Sequence, residues 1–83
     1  MLNAFTMTKM NGDNFKSADL LGRDITSVRN LLGYWWVLDR YYPTGWGGFT
    51  YVFERAGLGW LDIRTDRKNR VCAVFDGRLR LNN

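Results

Sequence analysis

The sequence predicts an α+β domain: one N-terminal helix packed on a four- to five-stranded antiparallel β-meander. Between Ser17 and Leu32 the apolar residues Leu21, Ile25, Val28 and Leu32 recur at spacings of four, three and four, which is one face of a helix. From Tyr34 onward, short runs rich in aromatic and β-branched residues alternate with breaks containing Gly, Pro and Asp. The length of 83 residues, 46% hydrophobic and 24% charged, makes one small folded domain over residues 1–83 with a thin core. A small SH3-like or OB-like barrel is the alternative architecture for the same pattern.

Residues 2–10 read as a short strand closed by the Asn11-Gly12 turn signal. The helix follows over 17–32, with Ser17 as its N-cap and Gly33 as the glycine that stops it. Gly22, Ile25 and Thr26 are weak helix formers, and a start at Asp24 would leave about two turns. Tyr34–Tyr42 and Phe49–Arg55 are the next strands, separated by Pro43-Thr44-Gly45-Trp46-Gly47-Gly48. Strict alternation along the first sends Trp35, Val37 and Tyr41 to one face and Trp36, Leu38, Arg40 and Tyr42 to the other. Ala56-Gly57-Leu58-Gly59 breaks the chain again, and Trp60–Thr65, Arg70–Phe75 and Arg78–Leu81 complete the meander.

Turn chemistry sets a register for the last three strands. Asp76-Gly77 is a two-residue hairpin signal, so Phe75 pairs across from Arg78, Ala73 from Arg80, Val74 from Leu79 and Cys72 from Leu81. A four-residue turn at 66–69 sets Thr65 against Arg70, Ile63 against Cys72 and Leu61 against Val74. One face then collects Leu61, Ile63, Cys72, Val74, Leu79 and Leu81. The other collects Trp60, Asp62, Arg64, Val71, Ala73, Phe75, Arg78 and Arg80, with Trp60, Phe75 and Arg78 in one row.

That second face suggests binding. Rings and guanidinium groups exposed together on a sheet stack single-stranded bases and neutralise phosphates, and the same residue types dominate protein–protein hot spots. A helix packed over this face would instead make Trp60 and Phe75 core residues. The charge points the same way as the rings. Residues 1–54 carry five bases and five acids, whereas residues 55–83 carry seven bases and three acids, so the whole net charge of +4 lies in the last third. Arginines outnumber lysines nine to three, and arginine makes forked contacts to phosphate and stacks on rings. Nine of the thirteen aromatic residues fall between Tyr34 and Phe53. Trp46, flanked by glycines in a loop, is either a mobile binding anchor or a ring folded back over the sheet end.

Catalytic chemistry is poorly supplied. There is no histidine, so no conventional triad and no side chain with an unperturbed pKa near neutrality. The single cysteine, Cys72, is assigned to the apolar face as a packing residue, and no disulfide, metal or other cofactor is expected. Asp62 and Asp66 are too few for a hard-cation site, and the glycines at 45–48 lack the Lys-Ser/Thr pair of a phosphate loop. No apolar run approaches membrane-span length, and Met1–Met7 has no basic lead or apolar block, so a cytoplasmic protein is expected. The expectation is a non-enzymatic protein that docks on a nucleic acid or on a nucleic-acid-handling protein complex, in the style of a small viral or mobile-element regulator or inhibitor. Its candidate binding residues are Trp46, Trp60, Arg64, Arg67, Lys68, Arg70, Phe75, Arg78 and Arg80. The alternative is a small structural protein self-associating as a homodimer through the Tyr34–Phe53 aromatic region. A histidine-free ribonuclease using Arg64, Arg70, Arg78 and Glu54 ranks third.

Overall fold

Gly22 decides how the N-terminal apolar stretch folds. In the computed structural model, which describes residues 15–79, its φ is +81°, a left-handed conformation that no helix passes through. The helix expected over 17–32 is therefore two pieces: a 3-10 turn at Ser17–Leu20, and the α-helix α1 at Ile25–Leu32. Between them the chain runs beside the last strand, with Gly22 N–H donating to the Val71 carbonyl at 2.8 Å and Val71 N–H to the Arg23 carbonyl at 2.9 Å. Ser17 is not a cap. Asp24 is, its carboxylate accepting from Thr26 N–H at 2.9 Å, and Gly33 closes the C-terminus at φ +59° as expected. Ile25, Val28 and Leu32 are buried along one face, but Leu20 rather than Leu21 completes the stripe.

A 3-10 turn at Gly33–Trp35 leads into four antiparallel strands in the order β1-β2-β3-β4: β1 Val37–Pro43, β2 Phe49–Arg55, β3 Gly59–Thr65 and β4 Val71–Arg78. This is the expected α+β meander with four strands. Among the described residues β1 and β4 are not paired with each other, so the sheet is open and not the alternative barrel. The expected strand at 2–10 and its Asn11-Gly12 turn lie outside the described residues. No helix of the described residues is long and apolar enough to cross a membrane.

Two bulges change the register from the expected one. In β1, Leu38 pairs with Phe53 and Arg40 with Val52, which leaves Asp39 as an extra residue. Strict alternation from Trp35 to Tyr42 therefore fails: Leu38 and Tyr41 share the helix-side face, while Val37, Arg40 and Tyr42 share the other. In β4, Thr65 pairs with Val71 but Arg64 with Ala73, so Cys72 is the extra residue. Ile63 consequently faces Val74, and Leu61 faces Asp76, rather than Cys72 and Val74. Val71, expected on the mixed face, turns inward and is buried. Cys72, expected as packing, is exposed.

The largest departure is at Asp76-Gly77. Neither residue has the positive φ that a type I′ hairpin demands, and β4 runs straight through them to Arg78. Gly77 lies opposite Trp60, and the Trp60 indole occupies the space where a Cβ on Gly77 would stand. Here glycine is the residue that lets a ring lie flat on the strand, not a turn former. Leu79, expected on the apolar face, is exposed, and the pairings expected for Arg80 and Leu81 fall outside the described residues.

The core lies on one side of the sheet only. α1 and the preceding turn place Phe15, Leu20, Ile25, Val28 and Leu32 against Trp36, Phe53, Leu61, Ile63 and Val71. Each fully buried side chain such as Leu61 or Ile63 stabilises this layer by about 1.5–3 kcal/mol.

Candidate functional site

With the helix committed to one face, no helix packs on the other among the described residues, although Thr50 on that face is itself buried. Registers fix its rows. Val37, Glu54, Trp60 and Gly77 lie at one end, Arg40, Val52, Asp62 and Phe75 in the middle, and Tyr42, Thr50, Arg64 and Ala73 at the other end. Trp60 is 47% exposed, Phe75 48% and Tyr42 44%. Trp60 and Phe75 occupy diagonal positions on neighbouring strands, a separation of about 7–8 Å between backbones. The question of whether the helix covers this pair is answered by the two buried positions beside them: Leu61 and Ile63 point to the helix, so Trp60, Asp62 and Arg64 point away.

Arg64 is built into the face. Its guanidinium carbon sits 4.6 Å above the Phe75 ring, and its Nε donates to the Asp62 carboxylate at 3.3 Å. The ring is thus framed by a cation that also has a carboxylate neighbour. Arg40 and Arg64 are balanced on this surface by Glu54 and Asp62, so the face itself is nearly neutral.

The basic residues gather instead at one end, in the turn between β3 and β4. Asp66 shapes that turn: its carboxylate accepts from Lys68 N–H at 2.8 Å and from Arg70 N–H at 3.0 Å. Those amide donors, Arg70 first and then Lys68, hold its carboxyl below the usual range, so it stays ionised. Arg67, Lys68 and Arg70 are all exposed. The β1–β2 loop meets this turn. Trp46 Nε1 donates to the Thr65 carbonyl at 3.1 Å, and the Arg67 side chain lies across Gly47. Trp46 is therefore folded back over the sheet end, not free on a mobile tip, although its ring stays 48% exposed. Arg67 joins the Trp46 loop at the Tyr42–Arg64 end of the sheet, with Lys68 and Arg70 exposed in the same turn region.

Arg78 does not join them. Because β4 makes no turn at Asp76-Gly77, Phe75 and Arg78 are three apart on one strand and point to opposite faces. Arg78 faces the helix side, where its guanidinium grips Asp76 through Nη2 to Oδ2 at 2.6 Å and Nε to Oδ1 at 2.9 Å, and lies 4.1 Å from the Phe15 ring centre. The expected row of Trp60, Phe75 and Arg78 is replaced by Trp60 and Phe75 with Arg64. Arg80 lies outside the described residues. Tyr42 and Arg40 were not among the sequence candidates, since only the bulge at Asp39 brings them to this face.

The Tyr34–Phe53 aromatics divide between surfaces. Trp36 and Phe53 are core, while Tyr41 and Tyr51 stack at 5.7 Å with an interplanar angle of 12° on the helix-side face, beside Phe49. Partial burial pushes the Tyr51 phenol above its ordinary pKa, opposed by the nearby Arg29. Comparison with known proteins gives no match: no family model, no curated protein and no solved structure is similar to this chain.

Proposed function

We propose that the protein is a non-enzymatic binding domain whose open sheet face stacks the bases of a single-stranded nucleic acid. Trp60, Phe75 and Tyr42 supply the stacking surfaces, Arg64 sits beside the Phe75 ring, and the turn bearing Arg67, Lys68 and Arg70 neutralises phosphates where the strand leaves the sheet. The observation that carries this reading is the half-exposed Trp60–Phe75 pair on a sheet face that the helix leaves open. A four-stranded antiparallel sheet with exposed rings is a general platform for unstacked bases, because every base offers a π-face and neighbouring strands space the rings.

A specific observation favours a second reading. The near-neutral balance of Arg40 and Arg64 with Glu54 and Asp62 suits a protein surface, in which the same rings would serve as hot-spot anchors on a nucleic-acid-handling complex.

Fluorescence anisotropy with labelled single-stranded DNA and RNA oligonucleotides at ~50 mM salt tests the first reading. Binding is expected, weakened by about 1–3 kcal/mol by Trp60→Ala and again by Phe75→Ala. No binding to either oligonucleotide under these conditions would overturn it and leave the protein-docking reading.

A further inference from the structure

We infer that β1 pairs antiparallel with β1 of a second copy, forming a symmetric dimer with one eight-stranded sheet. The interface runs along the β1 edge of the sheet; Val37, Arg40 and Tyr42 also border the open face, but the pairing does not depend on what that face binds. β1 is a seven-residue edge whose only strand neighbour among the described residues is β2, and six of its seven residues are exposed.

Such an edge normally invites any extended chain, and charge or a bulge blunts it. Here both devices are present, and both are self-complementary. A two-fold axis perpendicular to a sheet keeps each face on its own side, so paired residues must point the same way. In a regular strand this forbids registers in which i and j sum to an odd number. The extra residue at Asp39 shifts the parity, so that Leu38 and Tyr41 share one face while Val37 and Tyr42 share the other. The register centred between residues 39 and 40 then matches every position. Leu38 meets Tyr41 of the second copy, Val37 meets Tyr42, and Asp39 meets Arg40 at two symmetric contacts.

Within one chain, Arg40 Nε already lies 3.6 Å from the Asp39 carboxylate, which places these consecutive side chains on the same side, as the register requires. Val37, Tyr41 and Tyr42 are 65%, 58% and 44% exposed, so the partner strand covers apolar surface as well as backbone groups. Pro43, which lacks an N–H, ends the pairing. A foreign strand would leave Asp39 and Arg40 opposite the wrong groups, whereas a second copy satisfies both. The axis also keeps the two open faces on the same side, as one continuous surface.

Sedimentation equilibrium of the full chain between ~5 and ~300 µM tests this, with circular dichroism to confirm that each variant is folded. Asp39 and Arg40 are both solvent-exposed, so substitution there leaves the core intact. The wild type is expected to reach a dimer. Asp39→Arg sets like charges opposite one another at two contacts, and weakens association on the order of 10- to 30-fold. The double change Asp39→Arg with Arg40→Asp restores opposite charges in the same register, and recovers the dimer. A wild-type monomer at the highest concentration would overturn the inference. So would a dimer indifferent to Asp39→Arg, which would use another surface, or a double variant that fails to recover.

Discussion

Replacing Gly77 with alanine tests where β4 goes and which way Trp60 points. In most strands Gly→Ala stabilises by about 0.5–1 kcal/mol, because alanine loses less backbone freedom on folding. At Gly77 the new methyl would stand inside the Trp60 indole, and Trp60 is a half-exposed ring that can only respond by lifting off the sheet. Losing on the order of 60–80 Å² of covered ring at ~25 cal/mol per Å² costs about 1.5–2 kcal/mol. The net expectation is a loss of about 1 kcal/mol for Gly77→Ala. In a Trp60→Ala background the obstruction is gone, and the same change should stabilise by about 0.5–1 kcal/mol. The coupling between the two sites is thus about 1.5–2 kcal/mol, readable by urea unfolding followed by circular dichroism in a double-mutant cycle. A hairpin turn at Asp76-Gly77 behaves otherwise, since alanine at a positive φ is destabilising whatever occupies position 60. Equal destabilisation in both backgrounds would therefore refute the straight path of β4, and stabilisation in the wild-type background would refute the seating of Trp60 on Gly77.

Three further outcomes follow from the same geometry. Asp24→Ala removes the cap from Thr26 N–H and should cost about 1 kcal/mol in unfolding experiments, whereas Ser17→Ala, at a position that caps nothing, should change little. Cys72→Ser should alter stability by less than about 0.5 kcal/mol, and the native thiol should react fully with a water-soluble disulfide reagent without denaturant, because the bulge turns it outward. Asp66 has a folded-state pKa depressed by the Arg70 and Lys68 amides. Its stabilising contribution is therefore complete above the ordinary carboxylate range and fades as pH falls through the depressed value, and Asp66→Asn should remove that part of the acid sensitivity in thermal melts taken across the range.

The α+β class, the meander and the strand β2 could be read from composition, periodicity and breaks, as could the helix-facing residues Ile25, Val28 and Leu32 and the shared orientation of Trp60, Asp62 and Arg64. These are consequences of local periodicity, which the folded chain obeys wherever strands are regular. What could not be read are the two bulges. A single inserted residue at Asp39 or Cys72 leaves no compositional trace, yet it shifts the alternation along its strand, which is why Tyr42 was missed and Val71 and Cys72 were misplaced. Asp76-Gly77 misled for a different reason. The dipeptide is equally suited to a tight turn and to a strand that must accept a tryptophan ring, and the choice rests on Trp60, seventeen residues away in sequence. With that turn went the placement of Arg78 on the open face. The turn at 66–69 that carries Arg67 and Lys68 was legible, since Asp66 and Asn69 mark it locally, Asn69 taking φ +63°.

The separation of roles between rings and charges is the central claim, and the salt dependence of oligonucleotide affinity tests it most directly. Three cations, Arg67, Lys68 and Arg70, each contribute about −0.7 to the slope of log affinity against log salt on a single strand, giving about −2.1 and a roughly tenfold weakening for a threefold rise in salt. The expected result is that replacing Arg67, Lys68 and Arg70 together with alanine flattens the slope to near zero. Trp60→Ala should instead lower affinity by about 1–3 kcal/mol and leave the slope unchanged. A slope that survives the triple substitution, or one that Trp60→Ala flattens, would contradict the assignment of stacking to the open face and of phosphate contacts to the turn.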